Sequence, residues 1–223
     1  MTLKLFIEAI LKFTLGVVLI GLLIFLPAGT LAFTGGWLLM GILFVPMFIA
    51  GLVMMAKNPS LLASRLDAKE KEREQSIVVK LSGLMFILGF IIAGLDFRFG
   101  WVKLPFAVNI IAAVVFILAY IIYAEVLREN TYLSRTIKVV DGQKVVSTGL
   151  YGIVRHPMYF ATILLFMAMP LVLGSVVAFI VFLAYPFIIA ARIKNEEEVL
   201  TRELEGYEEY KQKVKYRMIP FIW

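Results

Sequence analysis

The side chains able to do chemistry gather at the two ends of the last long apolar run. Residues 149–159 read GLYGIVRHPMY and hold the single histidine, His156, beside Arg155. From 156 to 191 there is no Asp, Glu, Lys or Arg, and 192–223 then read RIKNEEEVLTRELEGYEEYKQKVKYRMIPFIW. Pro157 suits the first position of a helix, because it has no N–H to leave unsatisfied. A helix N-terminus beside Arg155 and His156 would stabilise an anion; anchoring at lipid headgroups is the plainer role for the same pair. Arg192 and Glu196 are four apart and share one helix face, as a simple ion pair also would. Three consecutive carboxylates, Glu196 to Glu198, are costly directly after a membrane span unless solvated or held by cations, so some should face an aqueous pocket. Tyr207 and Tyr210 lie three apart beyond Gly206, and the tail Pro220 to Trp223 is apolar enough to dock on the membrane or the helices; interfacial anchoring is their bland role.

These residues need elements to bring them together, and composition says which. With 61% hydrophobic and 17% charged residues, the 223-residue chain could not cover the surface of a soluble domain. It is read as a polytopic membrane protein, an all-α helical bundle. No charged residue occurs between Lys12 and Lys57, and 44 residues at about 1.5 Å each are too many for one crossing, so Pro27 and Gly29 should split them. Further uncharged runs cover 81–95, 104–124 and 157–191, the third span starting near Ile77 with Lys80 snorkelling to the surface. Pro170, Gly174 and Ser175 divide the last run into a tight hairpin, giving about six spans. β-Barrel alternation is absent. The hairpin would return His156 and Arg192 to one membrane surface.

Lys and Arg number six in 57–80, five in 128–155 and seven in 192–217, against only Arg98 and Lys103 in the opposite loops. The positive-inside rule then makes both termini cytoplasmic. The net charge of +6 is topology and attraction to anionic membrane lipids, with no case for nucleic acid. Lys4, Lys12 and the small residues from Ala28 to Ala32 imitate a signal peptide, but the segment is expected to stay as an uncleaved anchor. The absence of cysteine excludes disulfides and thiolate chemistry. No Rossmann, P-loop or HExxH pattern occurs, so no metal site is expected.

The segment 57–76 begins with Asn58 before Pro59, a helix start, and spaces Leu61, Leu62 and Leu66 as an amphipathic cytoplasmic helix lying on the membrane would. It reads either as a solvated charge run or as a route for substrate. Asn109 is expected to make an interhelical hydrogen bond. Glu8 with Lys12, and Asp96 with Arg98, are expected as interfacial ion pairs of little energetic weight.

The order GxYxxVRHPxY, a Gly-Ser hairpin turn, RxxxEExxL, GYxxYxxxV and RxIPxxW resembles the isoprenylcysteine carboxyl methyltransferase family, in particular its prokaryotic members, and the related phospholipid methyltransferases. The likeness covers about 130–223; the amino-terminal spans add only hydropathy. It implies a scaffold of four spans at 1–127 and a catalytic methyltransferase region at 128–223. It implies S-adenosylmethionine as cofactor, contacted by Lys144, Val145, Val146, Tyr151, His156, Pro157, Met158, Tyr159 and Glu196. Arg192 would meet the substrate and act in catalysis with Glu196, while Tyr207 and Tyr210 would help close the substrate pocket. The loop 136–143 departs from the family pattern, which puts its contacts in doubt.

Methyl transfer from a sulfonium needs in-line alignment and exclusion of water. A carboxylate acceptor needs no base, and Arg192 would orient it through bidentate hydrogen bonds. An amine acceptor, as in phospholipid N-methylation, must lose a proton, for which Glu196 or a neighbouring glutamate is the candidate base. A lipophilic acceptor would come sideways from the bilayer and meet the cofactor at the cytoplasmic face. An NADPH-dependent sterol-type reductase, with a similar carboxy-terminal pattern, and a catalytically silent membrane scaffold are the competing assignments.

Overall fold

A computed structural model describes residues 3–67, 73–134, 136 and 139–223, and among these there are helices and no strand. The first apolar stretch forms α1 (Leu3–Ala28) and α2 (Thr34–Lys57). They part at Gly29 rather than Pro27, which stays inside α1. A short helix α3 (Pro59–Leu66) starts as expected, the Asn58 side chain accepting the Leu61 N–H at 3.1 Å. The rest of the segment read as one amphipathic stretch divides: 68–72 lie outside the described residues, and Arg73 already opens α4 (Arg73–Phe99), ahead of the start expected near Ile77. α5 (Phe106–Glu129) follows.

The last run is a hairpin of α6 (Pro157–Val172) against α7 (Val176–Phe182) and α8 (Tyr185–Glu203). Its second limb is not one uniform helix. Pro186 lacks the N–H that would close onto Phe182, so the limb is interrupted at 183–184. α9 (Tyr207–Lys213) ends the helices. α1, α2, α4, α5 and the combined α7–α8 limb are long and apolar enough to cross a membrane, whereas α6 is apolar but has only 16 residues. The chain is thus an integral-membrane helical bundle: six apolar segments, five of full crossing length.

α6 is the central element, and none of its residues is exposed. It packs chiefly on α5, while α4 joins α1 to the hairpin. At Gly89 of α4 a Cβ would come within 2.2 Å of the Phe182 ring, so only glycine allows α7 to seat there. The hairpin turn is fastened by polar groups that lipid could not satisfy. Ser175 caps α7 by accepting the Ala178 N–H, and its hydroxyl donates to Asp96 at 2.5 Å. Asn109 donates to the carbonyls of Leu171 and Val172, both at 3.1 Å, the interhelical role expected of it. The expectation for Asp96 is corrected: it is buried, 2% exposed, and accepts from Ser175 and the Val102 N–H instead of forming a surface pair with Arg98. Glu8 and Lys12 do pair, at 2.6 Å and exposed.

Candidate active site

The hairpin returns the start of α6 and the end of α8 to the same end of the bundle. A cleft opens between them. One wall comes from α8 and the residue that ends it, where Arg192, Glu196, Leu200 and, just past the helix, Leu204 follow one another at intervals of four and all line the space. Met158 and Tyr159 of α6, with Arg155 and His156 before it, form the facing wall. Lys144, Val145, Val146 and Tyr151 come from the preceding loop, and Tyr207 and Tyr210 from α9. Of the residues expected at the site only Pro157 does not line the cleft; it is buried as the first residue of α6.

Local structure explains these positions. The 3-10 turn Gly149–Gly152 is tied to the end of α5, since the Leu150 N–H donates to Glu129 at 3.0 Å. Gly149 has φ +52, and a Cβ there would fall 1.3 Å from the same carboxylate, so no other residue fits. The turn sets Tyr151, whose hydroxyl accepts from Asn130 at 3.2 Å and whose carbonyl accepts the Tyr210 hydroxyl at 2.7 Å. Val145 and Leu200 then pack on a small buried cluster of Leu204, Tyr207, Tyr210 and Val214. Burial pushes the phenols of Tyr151, Tyr207 and Tyr210 above the usual tyrosine range.

Two carboxylates of the triple glutamate are held in different ways, and only Glu196 lines the cleft. Glu196 accepts the Tyr159 hydroxyl, which in turn accepts from Arg192 Nε at 2.7 Å, so Tyr159 lies between the two residues four apart on α8. Glu197 is 5% exposed and turned away from the open space. Its Oε1 accepts from Arg155 Nε at 2.7 Å and meets His156 Nε2 at 3.2 Å, and its Oε2 accepts from Arg217 Nε at 2.9 Å. Glu198 is exposed. Arg155 is therefore no headgroup anchor. Besides Glu197 it donates to the carbonyls of Val214 and Lys215, and the Arg155 and His156 N–H groups bond to the Tyr216 and Arg217 carbonyls at 3.0 and 2.7 Å. The tail thus runs as a strap beneath the start of α6. A carboxylate only accepts, so the contact with Glu197 puts the imidazole hydrogen on Nε2.

Sequence reasoning named Glu197 only as one of three carboxylates needing water or cations, and it did not single out the wall formed by Asn130, Tyr132, Leu133, Ser134, Thr136 and Gln143. Leu200 and Leu204 could have been found by continuing the Arg192–Glu196 spacing one and two turns further. Tyr207 lines this cleft, and its hydroxyl is buried with no hydrogen-bond partner among the described residues. Such a group costs free energy unless a ligand meets it. An acidic group, an imidazole, a helix start and apolar side chains surround the same space.

Comparison with known proteins agrees with the motifs. Residues 107–202 match the model of the Isoprenylcysteine carboxyl methyltransferase (ICMT) family, and the resemblance read from the sequence over about 130–223 is borne out where the two overlap, at 130–202. The chain is also 26% identical over 91 residues to the Delta(14)-sterol reductase TM7SF2 of Mus musculus, a match covering 40% of this chain and 22% of that protein. It thus spans about a fifth of that relative's length.

Proposed function

We propose that this chain, matched over 107–202 to a family of membrane methyltransferases, moves a methyl group from S-adenosylmethionine to a lipophilic acceptor at the cytoplasmic face of the membrane. The observation that carries the proposal is the cleft itself, where one apolar hairpin joins His156, Tyr159, Arg192 and Glu196 beside the unpartnered Tyr207 hydroxyl. Bound S-adenosylmethionine supplies an electrophilic methyl on a sulfonium. The chain's own task is to hold, align and dry the reactants. Glu196 suits a cationic amino group and the start of α6 an anionic one. Tyr207 offers a polar contact, and Val145, Val146, Leu200 and Leu204 an apolar surface for a planar base. Arg192, oriented by Tyr159, suits an acceptor carboxylate, which attacks without losing a proton; an amine acceptor would instead pass its proton to Glu196. The basic segments 57–80, 128–155 and 192–217 support a cytoplasmic placing of the cleft and both termini.

The similarity to a sterol reductase supports a second assignment, an NADPH-dependent reductase. Against it, Arg155 is engaged by Glu197 and two backbone carbonyls, and Glu196 would repel the phosphates of such a cofactor. Titration calorimetry of the purified protein with each cofactor separates the two. S-adenosylmethionine should bind and NADPH should not; the reverse result ends the methyltransferase assignment. Incubating native membranes with radiolabelled donor then identifies the acceptor, loss of label in base marking a methyl ester. Donor binding with no labelled product would leave a silent scaffold.

A further inference from the structure

The donor cleft is also gripped from the half of the chain that carries none of the motifs. α3 is docked rather than lying free on the membrane, since Leu61 and Leu62 are buried and Lys12 of α1 donates to the Leu66 carbonyl at 2.7 Å. From it two side chains reach the cleft wall. Ser64 Oγ lies 3.2 Å from the Leu133 carbonyl. Arg65 Nη1 donates to the Ser134 carbonyl at 3.2 Å and lies 3.9 Å from the Met158 sulfur, while Nη2 donates to the Tyr123 hydroxyl of α5. Leu133, Ser134 and Met158 all line the cleft. Residues 130–134 have no helix to occupy their carbonyls, so α3 supplies the partners at 133 and 134.

We propose that Arg65 is a positioning residue for the donor: it sets the distance between the 133–134 wall and Met158, with Ser64 as its assistant. The proposal rests on the S-adenosylmethionine assignment and extends the site beyond the matched region 107–202 into a segment that sequence alone reads as a solvated charge run or a route for substrate. A planar guanidinium reaches α5, α6 and the loop at once, which the point charge of a lysine cannot do.

The test uses the full chain in lipid nanodiscs, with Arg65→Ala, Arg65→Lys and Ser64→Ala. Losing a charge-assisted hydrogen bond should weaken donor binding about tenfold or more in Arg65→Ala, with a smaller loss in the other two. KM for the donor should rise while KM for the acceptor holds. In donor-free protein, hydrogen exchange should speed up in peptides covering 130–134 and stay unchanged in α5 and α8. Wild-type donor affinity and wild-type exchange in Arg65→Ala and Ser64→Ala together overturn the proposal, as does exchange that rises evenly through the bundle, the mark of a mere packing role. Should wild-type protein bind no donor, the methyltransferase assignment falls, and the donor-free exchange still decides whether Arg65 holds the wall.

Discussion

Glu197→Gln should free the carboxy-terminal strap without dismantling the bundle. The carboxylate holds Arg155, His156 and Arg217, and the side chains of Arg155 and Glu197 are each only 7% exposed. Removing one partner of a buried ion pair costs about 3–5 kcal/mol, because the other charge is left behind. Arg155 keeps its bonds to the Val214 and Lys215 carbonyls, so the low end, about 3 kcal/mol, applies. At 1.36 kcal/mol per factor of ten, the population with 214–217 detached rises by roughly two orders of magnitude. Trypsin reports it directly, since Lys213, Lys215 and Arg217 are cleavage points that the strap protects, and cleavage follows the open population when closing is fast. Cleavage at 213–217 should accelerate about a hundredfold in detergent-purified protein while the spans stay intact. The double variant Arg155→Met, Glu197→Met should be more labile still, because it also takes away the donor to the Val214 and Lys215 carbonyls. Cleavage within threefold of wild type in Glu197→Gln, or a double variant less labile than the single, would refute the argument.

Other perturbations separate binding from stability. Tyr207→Phe removes a buried hydroxyl with no partner among the described residues and should leave thermal stability unchanged or slightly raised, yet weaken donor binding measured by calorimetry. Tyr159→Phe breaks the bridge between Arg192 and Glu196 and should lower kcat/KM about 10- to 100-fold, as loss of a hydrogen bond to a charged group does. Asp96→Ala strands the Ser175 hydroxyl and the Val102 N–H, costing about 1–3 kcal/mol in a denaturation assay with donor affinity unchanged. Because burial raises the phenols of Tyr151, Tyr207 and Tyr210, the folded state keeps protons that the unfolded chain releases near pH ~10. Their contribution is full below that pH and is lost as pH rises above it. Thermal shift from pH 8 upward should show the decline, and Tyr207→Phe should flatten it.

The hairpin was legible because a charge-free run with a Gly-Ser break in lipid has few other solutions, and the face shared by Arg192 and Glu196 followed from helical period alone. Asn58 and Asn109 were legible for a related reason, each being a polar group whose surroundings leave it one kind of partner. The need of the triple glutamate for cations was legible too, but the partners of Glu197 were not, since they come from 155, 156 and 217, and long-range convergence leaves no local pattern. Asp96 misled because its sequence neighbour Arg98 suggests a pair, whereas tertiary packing offers Ser175 and a backbone N–H in a drier place. The interruption before α8 escaped notice because the run stays apolar through Pro186 and hydropathy ignores the missing N–H.

The shortness of α6 bears on how far a substrate must travel. Sixteen residues rise about 24 Å, against roughly 36 Å for the 24 residues of α5 beside it. With no exposed residue, α6 is largely covered by its neighbours, and they must make up the difference in length. His156 and Tyr159 stand at its start, against packed helices rather than on a free surface. A lipophilic acceptor of the proposed reaction would then meet them beside the apolar hairpin, and would have less of its apolar surface to give up to water on the way.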